Sequence, residues 1–269
     1  MTSLVSTAAQ QLLQDGRSVL TSVIPARGFA CAAAALVAVL SATHAASAER
    51  PALWRFGRDQ LCVTNGRVSV STDGTLAVET PSSRAVVNAD TANAGDQIAK
   101  LRFKYLGPSR ASRLLASDQL RRQIGLKLRA ADSCNVIYAM WRIEPEAKVV
   151  VSIKLNPGQH AHKQCGAGGY VNLKPQRHRA VQPVRQGESH SLQAVLRGRS
   201  LTVVGDGEVV WLGSLPDGVA LPEGPVGFRT DNGRFSFEYF GSAPTLPLPP
   251  SPRDRAKSTR GRCGIAKED

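Results

Sequence analysis

Aromatic residues make up only 5% of the chain, and acidic residues are outnumbered, with 21 Asp and Glu against 34 Lys and Arg. The shortage of rings argues against nucleic acid as a partner, because a single-strand platform needs exposed aromatics beside a concentrated basic patch. The cations are spread along the chain with no long Lys/Arg block, so no nucleic-acid partner is expected. Long apolar runs are also lacking. The one uncharged stretch, residues 28–40, falls short of the roughly 20 residues that a spanning helix needs.

What is present reads as paired strands. Leu201–Val204 and Glu208–Trp211 flank Gly205-Asp206-Gly207. Asp-Gly is a strong hairpin signal because it tolerates positive φ at both central positions. The pattern repeats with Val226–Thr230, a turn at Asp231-Asn232-Gly233, and Arg234–Tyr239. Phe235, Phe237 and Tyr239 share one face, while Arg234, Ser236 and Glu238 share the other. Upstream, Ala99–Leu106 alternates in the same way, with Leu101, Phe103 and Tyr105 inward and Lys100, Arg102 and Lys104 outward. Further strands are expected at Val68–Ser71, Leu76–Thr80, Gln123–Arg129, Val149–Leu155, Tyr170–Lys174 and Ser191–Arg197. Val136–Ile143 is apolar on both faces, which predicts a central strand. Residues 108–122 interrupt the series, and a long surface insertion near one sheet edge is expected there. So many short strands predict an all-β protein, a two-sheet antiparallel sandwich whose inner faces share one core. That excludes most cofactor folds, and no cofactor is expected.

The ends differ in kind. Arg17 and Arg27 precede the apolar run, and Ala46-Ser47-Ala48 follows it. Basic flank, short apolar core and small-residue exit predict a signal-peptide helix over residues 1–48. The product is expected to be secreted, periplasmic or extracellular, with the membrane involved only in export. Cleavage after Ala48 leaves a formal charge of +12, against +13 for the whole chain. A domain this basic favours polyanions. The sandwich is expected over residues 51–241. Residues 242–269 carry five prolines and six basic side chains, and predict a disordered, Pro-rich basic tail.

Export leaves Cys62, Cys134, Cys165 and Cys263. An even count in an oxidising compartment predicts two disulfides with three possible connectivities. Cys134–Cys165 is favoured because both cysteines flank the central strand pair, and Cys62–Cys263 would fasten the tail.

The segments LTVVGDGEVVWLG and GPVGFRTDNGRFSFEYF resemble the closing strands of concanavalin A-like (laminin-G-like) jelly-roll domains. The resemblance covers residues 191–239 and implies a jelly roll whose first and last strands pair. That superfamily holds lectins, adhesion modules, glycoside hydrolases and polysaccharide lyases, so fold alone assigns no activity.

Glycosidases of the superfamily carry Glu-x-Asp-x-Glu on one strand, and that pattern is absent here. Glu144-Pro145-Glu146 offers two carboxyl groups, but Pro145 reads as a strand end. For a lyase, Arg121, Arg122, Gln123, Tyr138, His160 and Tyr170 are the right residue types. The family's lyase motifs appear only as the echoes Gln119-Leu120-Arg121 and Gln123-Ile124-Gly125. His160, His162 and Cys165 have ligand-like spacing, but no second cysteine or carboxylate pair completes a metal set, so no metal is expected. The leading expectation is a monomeric, non-catalytic module that binds glycan or an anionic cell-surface polymer. A polysaccharide-degrading enzyme on the same fold is the alternative. The expected contacts are Trp141, Arg142, Lys154, His160 and Tyr170; apolar Met140 and Ile143 beside Trp141 also suit a core position for it, and Trp54 and Trp211 are expected to be packing residues.

Overall fold

The computed structural model describes residues 53–88, 95–115 and 117–242. The expected signal peptide, the Pro-rich tail, Cys31 and Cys263 lie outside these residues. In chain order the strands begin with β1 (Leu53–Phe56), β2 (Leu61–Asn65), β3 (Ser69–Val70), β4 (Leu76–Val78), β5 (Ser82–Val87) and β6 (Gln97–Pro108). The middle of the fold has β7 (Arg122–Leu128), β8 (Val136–Glu144), β9 (Lys148–Lys154), β10 (Tyr170–Asn172) and β11 (Arg177–His178). It closes with β12 (Ser189–Arg197), β13 (Ser200–Gly205), β14 (Glu208–Ser214), β15 (Gly227–Asp231) and β16 (Gly233–Ser242). One helical turn, α1 (His162–Cys165), lies between β9 and β10.

These strands form two antiparallel sheets. One has the order β11-β14-β13-β12-β6-β16-β4-β3, with β1 also on β16. The other has the order β10-β9-β8-β7-β15-β5-β2. First and last strands pair, Leu53 opposite Ser242. Alternation explains the layering. Leu101, Phe103 and Tyr105 from β6 and Phe235, Phe237 and Tyr239 from β16 are all buried, and they meet Ile124, Leu126, Ile137, Trp141 and Phe228 of the second sheet in one cluster. β8 sits between β7 and β9, as its two apolar faces predicted.

The β13–β14 turn places Asp206 and Gly207 at φ 50° and 87°, the double positive φ that its Asp-Gly pair allows. β5 escaped sequence reading because Pro81-Ser82-Ser83 looks like a turn. The described residues of 109–121 form an irregular, largely exposed connection between β6 and β7, and it is tied to the β15–β16 turn. Trp211 is buried as expected, but Trp54 is 53% exposed on the short β1 and is not a packing residue.

Gly125, on β7, permits close strand approach. A Cβ there would stand 2.4 Å from the Ala139 carbonyl oxygen and 2.7 Å from the Met140 Cα. Those are backbone atoms of β8, so the neighbour cannot swing away. Gly125→Ala is expected to cost about 1–3 kcal/mol, read as a lower urea midpoint. An unchanged midpoint would show that the strands separate freely.

Candidate functional site

Residues that alternate away from the core pattern the outer face of the seven-stranded sheet. In register they run Ser82, Asp231, Gln123 and Arg142 in one row, then Arg84, Arg229, Gly125, Met140 and Val150 in the next. The following rows carry Tyr138 opposite Ser152 and Ser152 opposite Asn172, then Lys154 opposite Tyr170. A groove of about 820 Å³ lies over this face. Its walls come from the 109–121 segment, with Arg113, Leu114 and Arg121, and from the β9–β10 loop, with His162, Gly166 and Ala167.

The groove is cationic. Arg84, Arg113, Arg121, Arg142 and Arg229 line it, and Asp231 is the one carboxylate among the described lining residues. Asp231 is fully buried and fully engaged. Arg229 Nε donates to it at 2.8 Å, Gln123 Nε2 at 2.6 Å and Ser82 Oγ at 3.3 Å. Burial disfavours the charge on Arg229, but Asp231 and the neighbouring tyrosines outweigh that and hold its pKa well above the ordinary value.

Tyr170 stacks on Tyr138 with ring centroids 6.0 Å apart, while Lys154 Nζ sits 5.1 Å from the Tyr170 ring centre. Arg229 Nη1 donates to the Tyr170 hydroxyl at 3.3 Å. Desolvation of the hydroxyl, helped by Tyr138, pushes the Tyr170 pKa up to about 12. Near neutral pH this phenol is therefore a hydrogen-bond donor and not a base. Tyr170 is 40% exposed, so one side of the platform remains open to the groove.

A polar weld fixes the loop wall. The Cys134–Cys165 disulfide joins the start of β8 to α1, with Cα atoms 5.9 Å apart, as expected from sequence. Lys154 is fully buried, and its Nζ donates to the carbonyls of Ser133 at 3.0 Å and Gly166 at 2.8 Å. Asp132 accepts from the amides of Cys134 and Asn135, both at 2.8 Å, and pairs with His160 Nδ1 at 2.8 Å. Asn156 Nδ2 bridges the carbonyls of Cys134 and Gly168. Cys62 is also disulfide-bonded; Cys263, its expected partner, lies outside the described residues.

Of the five expected contacts, Arg142 and Tyr170 line the groove and the other three do not. Trp141 is 1% exposed and points into the core, because its neighbours Met140 and Arg142 take the outward positions of β8. Lys154 faces the correct side but is spent on backbone carbonyls beneath Tyr170. His160 pairs with Asp132, and its neighbour His162 lines the groove instead. Glu144 is paired with Arg122 and Glu146 with Lys148, and neither glutamate lines the groove. Cys165 is consumed by the disulfide, and among the described residues no group of three metal-ligating side chains stands together.

Sequence reading missed Arg84, Arg229 and Asp231. The signal was present in Ser82, Arg84 and Val86 and in Gly227, Arg229 and Asp231, which alternate with Ser83, Ala85, Val87, Phe228 and Thr230. It was masked because both strands are short and flanked by turn residues.

The architecture is a sandwich of two stacked antiparallel sheets with the first and last strands paired, the arrangement that the resemblance to concanavalin A-like jelly rolls implied. No family model and no curated protein matches the chain. Among solved structures it is similar to the carbohydrate-binding module CBM66 from Bacillus subtilis, with a TM-score of 0.49 at 12% identity, covering 68% of this chain and 96% of that one. It is also similar to the metal-free carbohydrate recognition domain of Emp46p, with a TM-score of 0.45 at 11% identity over 70% of this chain and 89% of that one. An alginate lyase, A1-II′, gives a TM-score of 0.37 at 13% identity over 66% and 81%.

Proposed function

We propose that the sandwich is an exported, non-catalytic module that binds an anionic glycan or a similar envelope polymer along the groove of the seven-stranded sheet. The carrying observation is the charge of that groove, where the described lining residues include five arginines and one carboxylate, itself bonded by Arg229, Gln123 and Ser82. Guanidinium groups match carboxylate and sulfate oxygens in shape and charge, and Tyr170 adds a face for a sugar ring. Glycoside hydrolysis calls for two carboxyl groups facing each other across a bond. Among the described lining residues Asp231 is the one carboxylate and does not meet that need, which supports binding without hydrolysis.

The second reading is an eliminating enzyme, favoured by Gln123, Tyr138 and Tyr170 gathered beside arginines. A tyrosine that ionises near 12 is a poor base at neutral pH. The two readings separate by turnover: release of reducing ends or unsaturated products from acidic polysaccharides would end the non-catalytic one.

Binding is expected to be salt-sensitive. Exposed charges are screened over about 10 Å at 0.1 M salt, so affinity for an acidic polysaccharide should fall by at least about tenfold from low to moderate salt. Affinity electrophoresis over a salt series reads this, and a flat response would contradict an ionic mode.

A further inference from the structure

We infer that Arg142, Arg121 and Arg113 form a discrete oxyanion subsite at one end of the groove, where a carboxylate or sulfate of the ligand docks while a sugar ring rests on Tyr170. This rests on the glycan-binding reading and adds to it which residues read charge and how far that point lies from the ring platform.

Three observations carry it. First, Arg142 rises from β8 between residues of the floor, and its Nε is shut off from solvent with no hydrogen-bond partner. A buried guanidinium donor is rarely left without an acceptor, because the desolvation is then uncompensated. Arg229, two strands away, has Asp231, whereas no carboxylate among the described residues is bonded to Arg142, and Glu146, which acts on it from the β8–β9 turn, is held by Lys148. Burial, with the like charge of Arg121 second, lowers the Arg142 pKa, so this corner disfavours its own positive charge until an anion arrives.

Second, the fold spends a buried residue on bringing the other two arginines here. Asn232 is fully buried in the β15–β16 turn, in the left-handed region at φ 55°. Its Oδ1 accepts from the Arg113 amide at 2.7 Å, and its Nδ2 donates to the carbonyls of Arg113 at 2.8 Å and Arg121 at 3.1 Å. One buried side chain therefore holds the backbone at both Arg113 and Arg121. Both residues line the groove with Arg142, and the charge of Arg121 acts on Arg142, a like-charge repulsion that the negative charge of a ligand relieves.

Third, the subsite is separated from the platform. Tyr138, beneath Tyr170, and Arg142 are four residues apart on β8, or about 13 Å at about 3.3 Å per residue. One sugar ring does not span that interval. The ligand is an oligosaccharide whose acidic group lies beyond the ring that stacks.

The test uses calorimetry on the purified protein with three probes: an oligouronate, its carboxyl-reduced neutral counterpart, and a sulfated oligosaccharide. The wild type is expected to favour an acidic probe over the neutral one. The sulfated and uronate arms identify which oxyanion the subsite takes. Arg142→Gln is expected to weaken the preferred acidic probe by about tenfold to a hundredfold, the range for a lost charge-assisted contact, and to leave the neutral probe unchanged. Arg121→Gln, at a more open position, should move affinity in the same direction by a smaller factor and serves if Arg142→Gln does not fold. If both variants bind the acidic probe as the wild type does while Tyr170→Ala weakens it, the subsite is overturned and groove binding stands. If the wild type binds neither acidic probe, the glycan-binding reading fails and the subsite falls with it.

Discussion

Replacing Trp141 by alanine should lower the stability of the sandwich by about 3–5 kcal/mol, the range for emptying a large aromatic site in a packed core. The indole is 1% exposed and bridges the two sheets. Phe103 of β6 meets it edge-on with centroids 5.8 Å apart, and the His190 ring of β12 lies 5.4 Å away. From the next strand, Gly205 leaves just enough room, since a Cβ there would touch the indole at 3.3 Å. Such a hole is lined by strands that are hydrogen-bonded on both sides, so it does not collapse. Against a typical stability of about 5–15 kcal/mol, the loss consumes much of the margin. Urea denaturation reads it, with Trp141→Phe as the milder control. If Trp141→Ala keeps its midpoint and instead loses glycan binding, the indole belongs to a site and the core assignment is wrong.

Removing the Cys134–Cys165 crosslink should have the second-largest effect. The bond closes a separation of 31 residues, and in the loop-entropy model its loss costs roughly 3–4 kcal/mol, or on the order of 10 °C in melting temperature for a domain of this size. The double variant Cys134→Ser, Cys165→Ser is the right test, because chemical reduction would also open the bond at Cys62. The groove should suffer beyond the general loss. His162, Gly166 and Ala167 reach the groove from the loop that α1 anchors, and Lys154 Nζ loses the Cys165 Sγ that it meets at 3.0 Å beside the Ser133 and Gly166 carbonyls. Calorimetry at a temperature where the variant is still folded should show weaker binding to the preferred acidic probe. A variant with an unaltered melting temperature and unaltered affinity would show that the polar network suffices.

The sandwich was legible because burial and strand period are coupled. Phe235, Phe237 and Tyr239 had to share a dry face, and two such strands had to find each other. The candidate groove was only half legible. Arg142 and Tyr170 emerged from their residue types, but Trp141 did not fit, because a residue's type does not say which face of a two-sided apolar strand it takes. β8 is buried on both sides, so its alternation carries no polarity signal, and the phase is set by its neighbours: Gly125 opposite Met140 outward, Ile124 opposite Trp141 inward.

From its sequence alone, then, this chain determined most strand positions, turn chemistry and the excess of positive charge, because each of these rests on neighbours in sequence or on composition. Only the tertiary structure decided where that charge gathers. Arg84, Arg142 and Arg229 come from three separate strands, and Asn232 draws Arg113 and Arg121 to the same groove across more than a hundred residues. Long-range strand pairing creates that convergence, and no local pattern encodes it.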